Sequence, residues 1–579
     1  MQQLQTEVLV VGGGTGGTAA AIQAARRGAQ TILVSEFSWL GGMLTAAGVS
    51  APDGNELAAL QTGLWGAFLR ELDRRQAGGL DHAWVSFFTY EPRVGAEIFA
   101  DWVRSLPNLH WIQGQVPLAA YKRGDRITQV RFADYAIDAQ IILDATELGD
   151  LLALADVPHR WGWEWQADFG EPSAPIAPNE LTQKYPVQSP TWVVVLKDFE
   201  ADAPEISQPP LDRPEQFAGA WQGYEPEAFL NYGRLPGNRF MINWPQQGND
   251  YGARLDRLIE SATTRRELLQ EACWHSQSFA RHIQSQLGCR YGLAETTFPA
   301  AELGGGAFAL HPYYRESRRL QGKVTVREQD ILPLSGGRVA ALPIENQQIS
   351  AIAIGNYAND HHYPGFDLPL QPKSMRWGGR WTGTPFALPY GCLVPATVDG
   401  LLVCDKNISV SHIANGATRL QPVVLGLGQA AGMAAAMCIE QQCQPRDLPM
   451  RSLQEALLQD AIAPAAVVPL LNLPPQHPDW LDWQRHYLDA PDRYPLDGNC
   501  PAASLTPPST APTIAGWFEP HGDQDYRFTL PDRTMLQVVT LQSAVDRQLQ
   551  QQPAGRLQVR GRVNRSGNWL LVEQMDEKL

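Results

Sequence analysis

Features that would mark a secreted, membrane or metal-binding protein are missing from this sequence of 579 residues. Its seven cysteines are odd in number and form no C-x-x-C pair, so neither a disulfide framework nor a zinc ribbon is predicted. No apolar run reaches the ~18 residues that a membrane helix needs, and only residues 1–6 precede the first apolar strand. We therefore expect a reducing, cytoplasmic setting with no signal peptide, no membrane span and no metal site.

Positive charge is also scarce. Lysine and arginine number 46 against 61 aspartate and glutamate residues, which gives a formal net charge of −15. This excess of negative charge does not favour binding to nucleic acid or to an anionic membrane surface. With 44% hydrophobic and 18% charged residues and no internal repeat, the composition indicates a globular chain of two or more domains.

The first recognisable pattern is a βαβ unit in `EVLVVGGGTGGTAAAIQAARRGAQTILVSE`. A strand at 7–11 is followed by a glycine-rich turn, an alanine-rich helix and a second strand at 31–35. In the G-x-G-x-x-G sequence of the turn, Gly12 permits a tight bend and Gly14 lets the backbone approach a pyrophosphate. Gly17 lets the helix pack close to the strand.

Glu36 follows the second strand, where a carboxylate can accept hydrogen bonds from a ribose. The helix N-terminus offers unpaired N–H groups to phosphates. Strand, turn, helix and acid together predict a dinucleotide site without a 2′-phosphate. FAD and NAD both fit these residues, and the absence of a second G-x-G-x-x-G disfavours a separate nicotinamide domain.

Longer stretches resemble the FAD-dependent oxidoreductase family, a branch of the glutathione-reductase-type flavoproteins. The similar segments are `VVGGGTGGTAAAIQAARRGAQTILVSE`, `WLGGMLT`, `DATELGDLLALADVPHR`, `DFGEPSAP` (168–175), `YRESRRLQG` (314–322) and `TPFALPYGCLVPATVDGLLVCDKNISVSHIANGATRLQPVVLGLGQAAG` (384–432). The likeness spans most of residues 1–445. It implies one FAD per chain, bound in an extended form.

The resemblance implies a set of cofactor-binding residues. They are Gly12, Gly14, Thr15, Gly16, Gly17 and Glu36 for the adenosine and pyrophosphate; Gly41, Gly42 and Met43 towards the flavin; Val116 beside the adenine; Ala145, Thr146, Gly149 and Asp150 over the ribose and phosphates; and Asn415, Gly416, Ala417, Thr418, Arg419 and Leu420 at the flavin pyrimidine. We expect a helix to begin in this last segment, with Asn415 or Thr418 as its cap.

The order of predicted elements along the chain gives the fold class and its division. We expect an α/β chain with a discontinuous Rossmann-type FAD-binding domain, an inserted α+β substrate domain and a small C-terminal β module. The predicted parts are 1–168 and 384–445 for the FAD-binding domain, 169–383 for the insertion, 446–513 for a Pro-rich helical or linker region, and 514–579 for the module. We expect the module to be separable, and to serve a partner or self-association.

More distantly, the layout resembles the fumarate-reductase and succinate-dehydrogenase flavoproteins. Those hold a substrate carboxylate with an arginine just before the last helix, and the matching residue here is Arg419. The sequence departs from their pattern after Leu420, where Gln421-Pro422 replaces glycines. Many members of that group attach the flavin covalently through a histidine early in the chain. The first histidine here is His82, so we expect FAD to be bound non-covalently.

Further catalytic candidates lie in segments expected to reach the flavin. His361 and His362 form an adjacent pair between Asp360 and a Tyr-Pro-Gly turn, which suits either a proton donor or a surface loop. Arg376 and Arg380 flank Trp-Gly-Gly and suit either a carboxylate or an ordinary ion pair. His412 precedes the flavin-facing segment and suits either the flavin or a buried backbone contact.

These observations favour an FAD-dependent oxidoreductase that exchanges hydride or electrons with a small polar substrate, with the carboxylate implied by the resemblance. The electron acceptor stays open among O₂, a quinone, a carrier protein and a nicotinamide. Two alternatives from other classes remain: a flavin-containing tRNA-modifying or scaffold protein, which the negative charge disfavours, and an FAD-dependent isomerase without net redox chemistry.

Overall fold

The structure is a computed structural model that describes residues 1–505 and 508–575. Positions 506–507 of the predicted linker and 576–579 of the predicted C-terminal module lie outside the described residues. The N-terminal part contains β1 (Gln2–Val11), α1 (Thr15–Arg26), β2 (Thr31–Ser35), α2 (Gly63–Arg75), α3 (Pro92–Arg104), β3 (Leu109–Gln113), β4 (Ala119–Arg123), β5 (Arg126–Arg131), β6 (Tyr135–Asp144), α4 (Asp150–Leu154), β7 (His159–Arg160) and α5 (Gln166–Phe169).

The middle of the chain contributes mostly short strands and one long helix. Its elements are α6 (Glu180–Lys184), β8 (Val194–Asp198), α7 (Pro226–Asn231), β9 (Arg234–Leu235), β10 (Arg239–Ile242), α8 (Arg257–Glu260), α9 (Ala262–Leu287), β11 (Tyr291–Leu293), β12 (Arg319–Leu320), α10 (Glu328–Ile331), β13 (Ile344–Glu345), β14 (Gln348–Ile349), β15 (Ala351–Asn356), β16 (Ser374–Trp377) and β17 (Arg380–Gly383).

The last part combines core elements with a separate barrel. It contains β18 (Pro385–Pro389), β19 (Leu401–Val403), α11 (His412–Thr418), α12 (Gln421–Gln441), α13 (Met450–Leu458), α14 (Trp480–Asp489), β20 (Thr513–Pro520), β21 (Tyr526–Thr529), β22 (Met535–Val539), α15 (Ser543–Gln551), β23 (Gly555–Asn564) and β24 (Trp569–Met575).

A seven-stranded sheet forms the centre of the N-terminal part, in the order β3-β2-β1-β6-β5-β4 with β19 paired to β6. β1 pairs in parallel with β2 and β6, and β19 joins β6 in parallel from far along the chain. The predicted α/β class with a parallel, Rossmann-type sheet is confirmed. Because β19 completes a sheet begun by β1, this sheet is built from two separate stretches of sequence.

Helix α12 packs against α1 through glycines. A Cβ on Gly428 would lie 2.2 Å from the Gly16 carbonyl oxygen, and one on Gly432 would lie 2.2 Å from that of Ala20. Among the described residues, α12 alone is long and apolar enough to cross a membrane, but 89% of its most apolar window is buried inside the fold. Its composition is therefore accounted for by core packing between the two helices.

The middle region has its own antiparallel sheet, in the order β11-β8-β10-β9, with α9 beside it. Two arginines tie this region to the first part of the chain: Arg265 and Arg318 both form ion pairs with Asp150. β15 pairs with β18, on the other side of the predicted boundary at 383/384. The two strands share the main hydrophobic core, so they belong with the parallel sheet. The full set of domain boundaries stays a prediction.

The C-terminal strands close into a barrel in the order β20-β21-β22-β24-β23, with α15 between β22 and β23. The barrel is not isolated from the rest of the chain. Trp569 packs against Phe87 with ring centroids 5.2 Å apart and donates a hydrogen bond to Asp81. The Thr540 N–H also donates to the Gly378 carbonyl at 2.8 Å. These contacts oppose our expectation that the module is separable.

We expect Trp569→Ala to lower the free energy of unfolding by about 3–5 kcal/mol, because it opens a cavity in a packed core and leaves Asp81 without its indole donor. Trp517 lies in the same barrel but is 47% exposed, so Trp517→Ala should change stability by less than about 0.5 kcal/mol. Urea unfolding of both variants measures the difference. If Trp569→Ala and Trp517→Ala have equal and small effects on stability, the module is separable as first predicted. The same conclusion would follow if the chain truncated after residue 505 folds and binds flavin.

Candidate functional site

The glycine-rich turn between β1 and α1 has no room for side chains. Gly12 has φ +111°, and a Cβ there would lie 2.2 Å from the Ala145 carbonyl oxygen. A Cβ on Gly17 would lie 2.0 Å from the Gly12 oxygen. Gly14 supplies no side-chain cap to α1, so the N–H groups of its first turn need partners from elsewhere.

A second loop packs directly on this turn. The Thr15 hydroxyl donates to the Gly41 carbonyl at 2.8 Å and accepts from the Met43 N–H at 3.2 Å. A Cβ on Gly42 would lie 2.7 Å from Gly14 Cα, so the two loops touch through backbone alone. The structure thus brings together the two predicted glycine segments.

The segment after β6 completes the same edge. The Ala145 N–H bonds to the Val11 carbonyl at 2.8 Å, and the Asp150 N–H bonds to the Thr146 hydroxyl at 2.7 Å. Gly149 precedes α4 in a left-handed conformation. Val116, predicted beside the adenine, is an exposed residue of the loop between β3 and β4.

Glu36 extends from the end of β2 into an opening. Its side chain is exposed, yet enough protein surrounds it that burial, followed by the charge of Asp150, raises its pKa to about 7. A ribose hydroxyl that donates to the carboxylate would favour its charged form and lower this pKa again.

We therefore expect FAD affinity to increase as pH rises from 6 to 8 and Glu36 loses its proton. Glu36→Gln should remove this pH dependence, and Glu36→Ala should weaken binding by about 1.5–3 kcal/mol, the value of a hydrogen bond to a charged group. Fluorescence titration of apoprotein with FAD at several pH values measures both effects. A wild-type affinity that is flat across this range would contradict the assignment.

A buried lysine lies beside the turn, and sequence reasoning missed it. Lys406 Nζ lies 2.6 Å from Glu147 and 2.8 Å from Asp405, whose other oxygen accepts from the Gly16 N–H at 3.0 Å. Burial opposes the charged ammonium, but the two carboxylates outweigh it and raise the pKa of Lys406. The sequence could have pointed to this cluster, because Glu147 and Asp405 both lie in segments that resemble the family.

The predicted flavin-facing segment is helical in a way we did not expect. Asn415 to Thr418 lie inside the short helix α11, and its cap is Ser411, whose hydroxyl accepts from the Ala414 N–H at 3.0 Å. The long helix α12 begins only at Gln421, after a break at Arg419 and Leu420. The expectation of a cap at Asn415 or Thr418 was therefore wrong: Pro422, in the first turn of α12, sets the later start.

Some of the unpaired buried polar atoms lie in the predicted cofactor segments. Near the turn, Glu147 Oε1 has no hydrogen-bond partner among the described residues. At the α11–α12 junction the same holds for Asn415 Oδ1, Gln421 Oε1 and Arg419 Nε. Buried polar groups are nearly always paired, so these atoms indicate a polar ligand that runs from the turn to the start of α12. The residues present are compatible with FAD, and the positions of its phosphates at Gly14 and of its pyrimidine at the N-terminus of α12 stay predictions.

The predicted histidines belong to a buried hydrogen-bonded chain. His412 Nδ1 lies 2.7 Å from Glu316, and its Nε2 lies 2.5 Å from the Tyr363 hydroxyl. That hydroxyl is 2.9 Å from His361 Nδ1. Burial, followed by the charge of His412, lowers the pKa of His361 well below its ordinary range. The chain can hold and relay a proton without a charged His361.

A second chain links Arg419 to the middle region. Arg419 is buried and pairs with Asp360 at 3.0 Å. His362 bridges Asp360 and Asp250 at 2.8 Å on each side, and Asp250 pairs with Arg315 at 3.1 Å. Burial opposes ionisation of Asp360, but His362 and Arg419 outweigh it and hold its pKa below the ordinary value. Asp250 also lines an outer cavity of about 820 Å³.

The two candidate arginines of the β16–β17 hairpin point to opposite faces. Arg376 pairs across the hairpin with Trp381 and lies over its exposed ring, away from the other candidates. Arg380 pairs with Trp377 and lies over Phe87 at 4.5 Å. The alternation of a β-strand therefore directs Arg380, and not Arg376, towards the body of the protein.

The two cysteines nearest the predicted flavin segments are poorly suited to a covalent link. Cys392 and Cys404 are fully buried, and burial raises the pKa of both thiols. A thiolate is the reactive form of cysteine, so neither position favours attachment. Non-covalent binding of FAD stays our prediction.

Comparison with solved structures gives only distant likenesses. L-proline dehydrogenase from P. horikoshii has 18% identity and a TM-score of 0.16 over 25% of this chain, which spans 23% of that one. A geranylgeranyl bacteriochlorophyll reductase-like protein from Thermoplasma acidophilum has 10% identity and a TM-score of 0.34, covering 79% of this chain and 84% of the other. pqsL, a probable FAD-dependent monooxygenase from Pseudomonas aeruginosa, has 12% identity and a TM-score of 0.31, covering 84% and 98%.

The family assignment comes from a profile comparison. A search of curated protein sequences found no match. The family described as "FAD dependent oxidoreductase" matches residues 7–457, which include the glycine-rich turn, both candidate chains of charged residues and α12. FAD is therefore the cofactor of this protein. On this match, the chain belongs to the FAD-dependent oxidoreductase family, and it is an enzyme.

Proposed function

We propose that this enzyme transfers hydride between FAD and a small polar substrate that binds beside Arg419. FAD, when bound, supplies the hydride acceptor or donor. The protein supplies a set of residues that we call the Arg419 chamber, namely Arg419, Asp360 and the two histidine chains. The observation that carries the proposal is the convergence of these charged and unpaired groups at the start of α12.

Arg419 can hold an acidic group of the substrate. Tyr313 and Asp360 occupy its terminal nitrogens, and its Nε has no partner among the described residues. A guanidinium with a free donor in a buried setting binds carboxylates through charge-assisted hydrogen bonds. The carboxylate is a proposal that rests on this free donor and on the position of Arg419.

Proton movement falls to the two histidine chains. His361 is neutral in its buried position and accepts or donates through Tyr363. His362 connects Asp360 of the chamber to Asp250 of the outer cavity. A hydride transfer that gains or loses a proton at the substrate thus has a route for that proton in either direction.

The test is anaerobic titration of the oxidised holoenzyme with small acids, amines and sugars. We expect the flavin absorbance to bleach with at least one carboxylate-bearing substrate and to return when an acceptor is added. Conversion of a substrate without any flavin reduction would instead support the isomerase alternative. A protein that binds FAD and bleaches with none of these classes would defeat the proposal.

A further inference from the structure

Two carboxylates beside the Arg419 chamber have no protein partner. Asp53 is half-buried and Glu56 is only 7% exposed. Neither carboxylate accepts a hydrogen bond or joins an ion pair with any residue in 1–505 or 508–575. Buried carboxylates are normally paired or hydrogen-bonded. The Glu56 side chain is more than nine-tenths buried, but its unpaired carboxylate oxygens still reach accessible space that a partner from outside the protein can fill.

The loop that carries this acid pair is held firmly in place. The Ser86 hydroxyl donates to the Pro52 carbonyl at 2.5 Å, and the Asn55 N–H donates to the Asn356 carbonyl at 3.2 Å. The Asn55 carbonyl in turn accepts from the Trp65 indole at 3.2 Å. The backbone that carries the two carboxylates is thus held at the end of β15, where the chain enters the segment of Asp360.

Charge around the acid pair is not balanced. Arg380 acts electrostatically on both carboxylates, and Asp360 and Arg419 act on Asp53. Arg380 makes no ion pair within the described part of the chain, and its Nη1 is buried without a partner. Arg419 is already matched by Asp360. Once Asp53 and Glu56 are both ionised, Arg380 is the one cation acting on the two acids that is not already paired with another carboxylate in the described part of the chain, so an added positive charge would stabilise their charged forms.

We propose that Asp53 and Glu56 bind the ammonium group of an amine substrate, and that the substrate is an amino acid or a related amino compound. The proposal deepens the proposed function and rests on it. An ammonium group has three donors on one compact charge, which two carboxylates can share. The free donor of Arg419 is then left for a carboxylate of the same molecule.

The electrostatics of the pair agree with this assignment. Burial, followed by the charge of Glu56, raises the pKa of Asp53 to about 8, and burial raises that of Glu56. Tyr232 and Tyr357 are the other titratable side chains on which Asp53 acts. Bringing a cation to this pair favours the charged carboxylates, so binding at pH 7 must release protons.

The experiment uses three matched probes on the oxidised holoenzyme: butylamine, butanoate and 2-aminobutanoate. Calorimetry at pH 7 in two buffers of different ionisation enthalpy gives both affinity and proton release. We expect the two amines to bind with proton release. Asp53→Asn should weaken their binding by about 10- to 150-fold, the value of one charge-assisted hydrogen bond, and abolish most of the release.

Two features of the variants keep the test decisive. Asp53 is largely protonated at pH 7, so asparagine closely mimics it and the Asp53→Asn variant should fold. Glu56→Gln provides a second, independent measurement of amine binding. The matched control is Asp125→Asn, on an exposed turn between β4 and β5, which should bind every probe like the wild type.

Binding of butanoate with exclusion of both amines would overturn the proposal, as would the absence of binding by all three probes or equal affinities in the Asp53 and Asp125 variants. These outcomes are distinct from failure of the proposed function. Amine binding that never leads to flavin reduction by any substrate would leave the acid pair as an amine site and defeat the oxidoreductase chemistry beside it.

Discussion

Replacing Gly14 with valine should yield a folded but colourless protein. A Cβ at this position would already lie 2.9 Å from Glu147 Oε1 and 3.0 Å from Asp405 Oδ2, so the remaining methyl groups must enter the space above the α1 N-terminus. The phosphates of FAD would lose their backbone N–H contacts there. Loss of two charge-assisted hydrogen bonds of about 1.5–3 kcal/mol each corresponds to a fall in affinity of at least about 100-fold.

Flavin absorbance per chain after desalting measures this directly, and circular dichroism reports whether the variant is folded. Gly426→Ala is the matched control, since a Cβ on this α12 glycine would meet only Ala353 Cβ at an ordinary 3.5 Å. It should retain one FAD per chain. Normal flavin content in a folded Gly14→Val protein would show that the pyrophosphate does not bind at this turn.

The βαβ unit could be predicted from sequence because every signal in it is local. The apolar run of β1, the glycines of the turn and the acid after β2 all lie within residues 7–36, and their spacing alone predicts the geometry. The structure adds β19, which pairs with β6 from far along the chain. Its segment could be predicted as a strand that returns to the first domain, but its partner β6 could not, because pairing across such a separation leaves no local pattern.

The hydrogen-bonded chains of the chamber could not be predicted from local sequence patterns. His361 and His362 were predicted as a pair, but they belong to different networks, one through Tyr363 to His412 and one through Asp360 to Asp250. Tyr363 looked like an ordinary aromatic residue of a turn. Its partners come from a helix some fifty residues later, so neither its role nor its proton route could be seen from composition or spacing.

Two other differences have a readable cause. Pro422 is a standard residue for the first turn of a helix, so the late start of α12 could have been predicted had that signal been given more weight than the cap candidates before it. The barrel strands were visible as alternating segments. Their attachment to the body depends on Trp569 and Val539, two residues of the barrel that belong to the main core, and no alternation distinguishes such residues from the barrel's own interior.

We expect Arg419→Lys to retain FAD while its affinity for an acidic ligand falls by about 10- to 150-fold, the value of one charge-assisted hydrogen bond. Lysine keeps the positive charge beside Asp360 but loses the planar fork and the free Nε donor. Binding of butanoate-type acids and the KM for substrate should therefore change much more than flavin content. Tyr313→Phe is the control, because it removes a neutral partner of Arg419 without altering charge.

Arg419→Ala separates this role from an effect on the flavin itself. Asp360 already neutralises much of the guanidinium charge, so the reduction potential of the bound flavin should move by less than about 30 mV, a tenfold effect for a two-electron couple. Without the Arg419 guanidinium the pKa of Asp360 rises, and a protonated Asp360 no longer forms an ion pair with His362. Turnover should therefore decline at low pH before it declines at high pH. A fall in potential of 60 mV or more, about a hundredfold effect, would instead assign Arg419 to the reduced flavin. Wild-type potential and wild-type turnover in both variants would make Arg419 a structural link between α11 and the loop of Asp360, and the carboxylate site would have to be sought at Arg380.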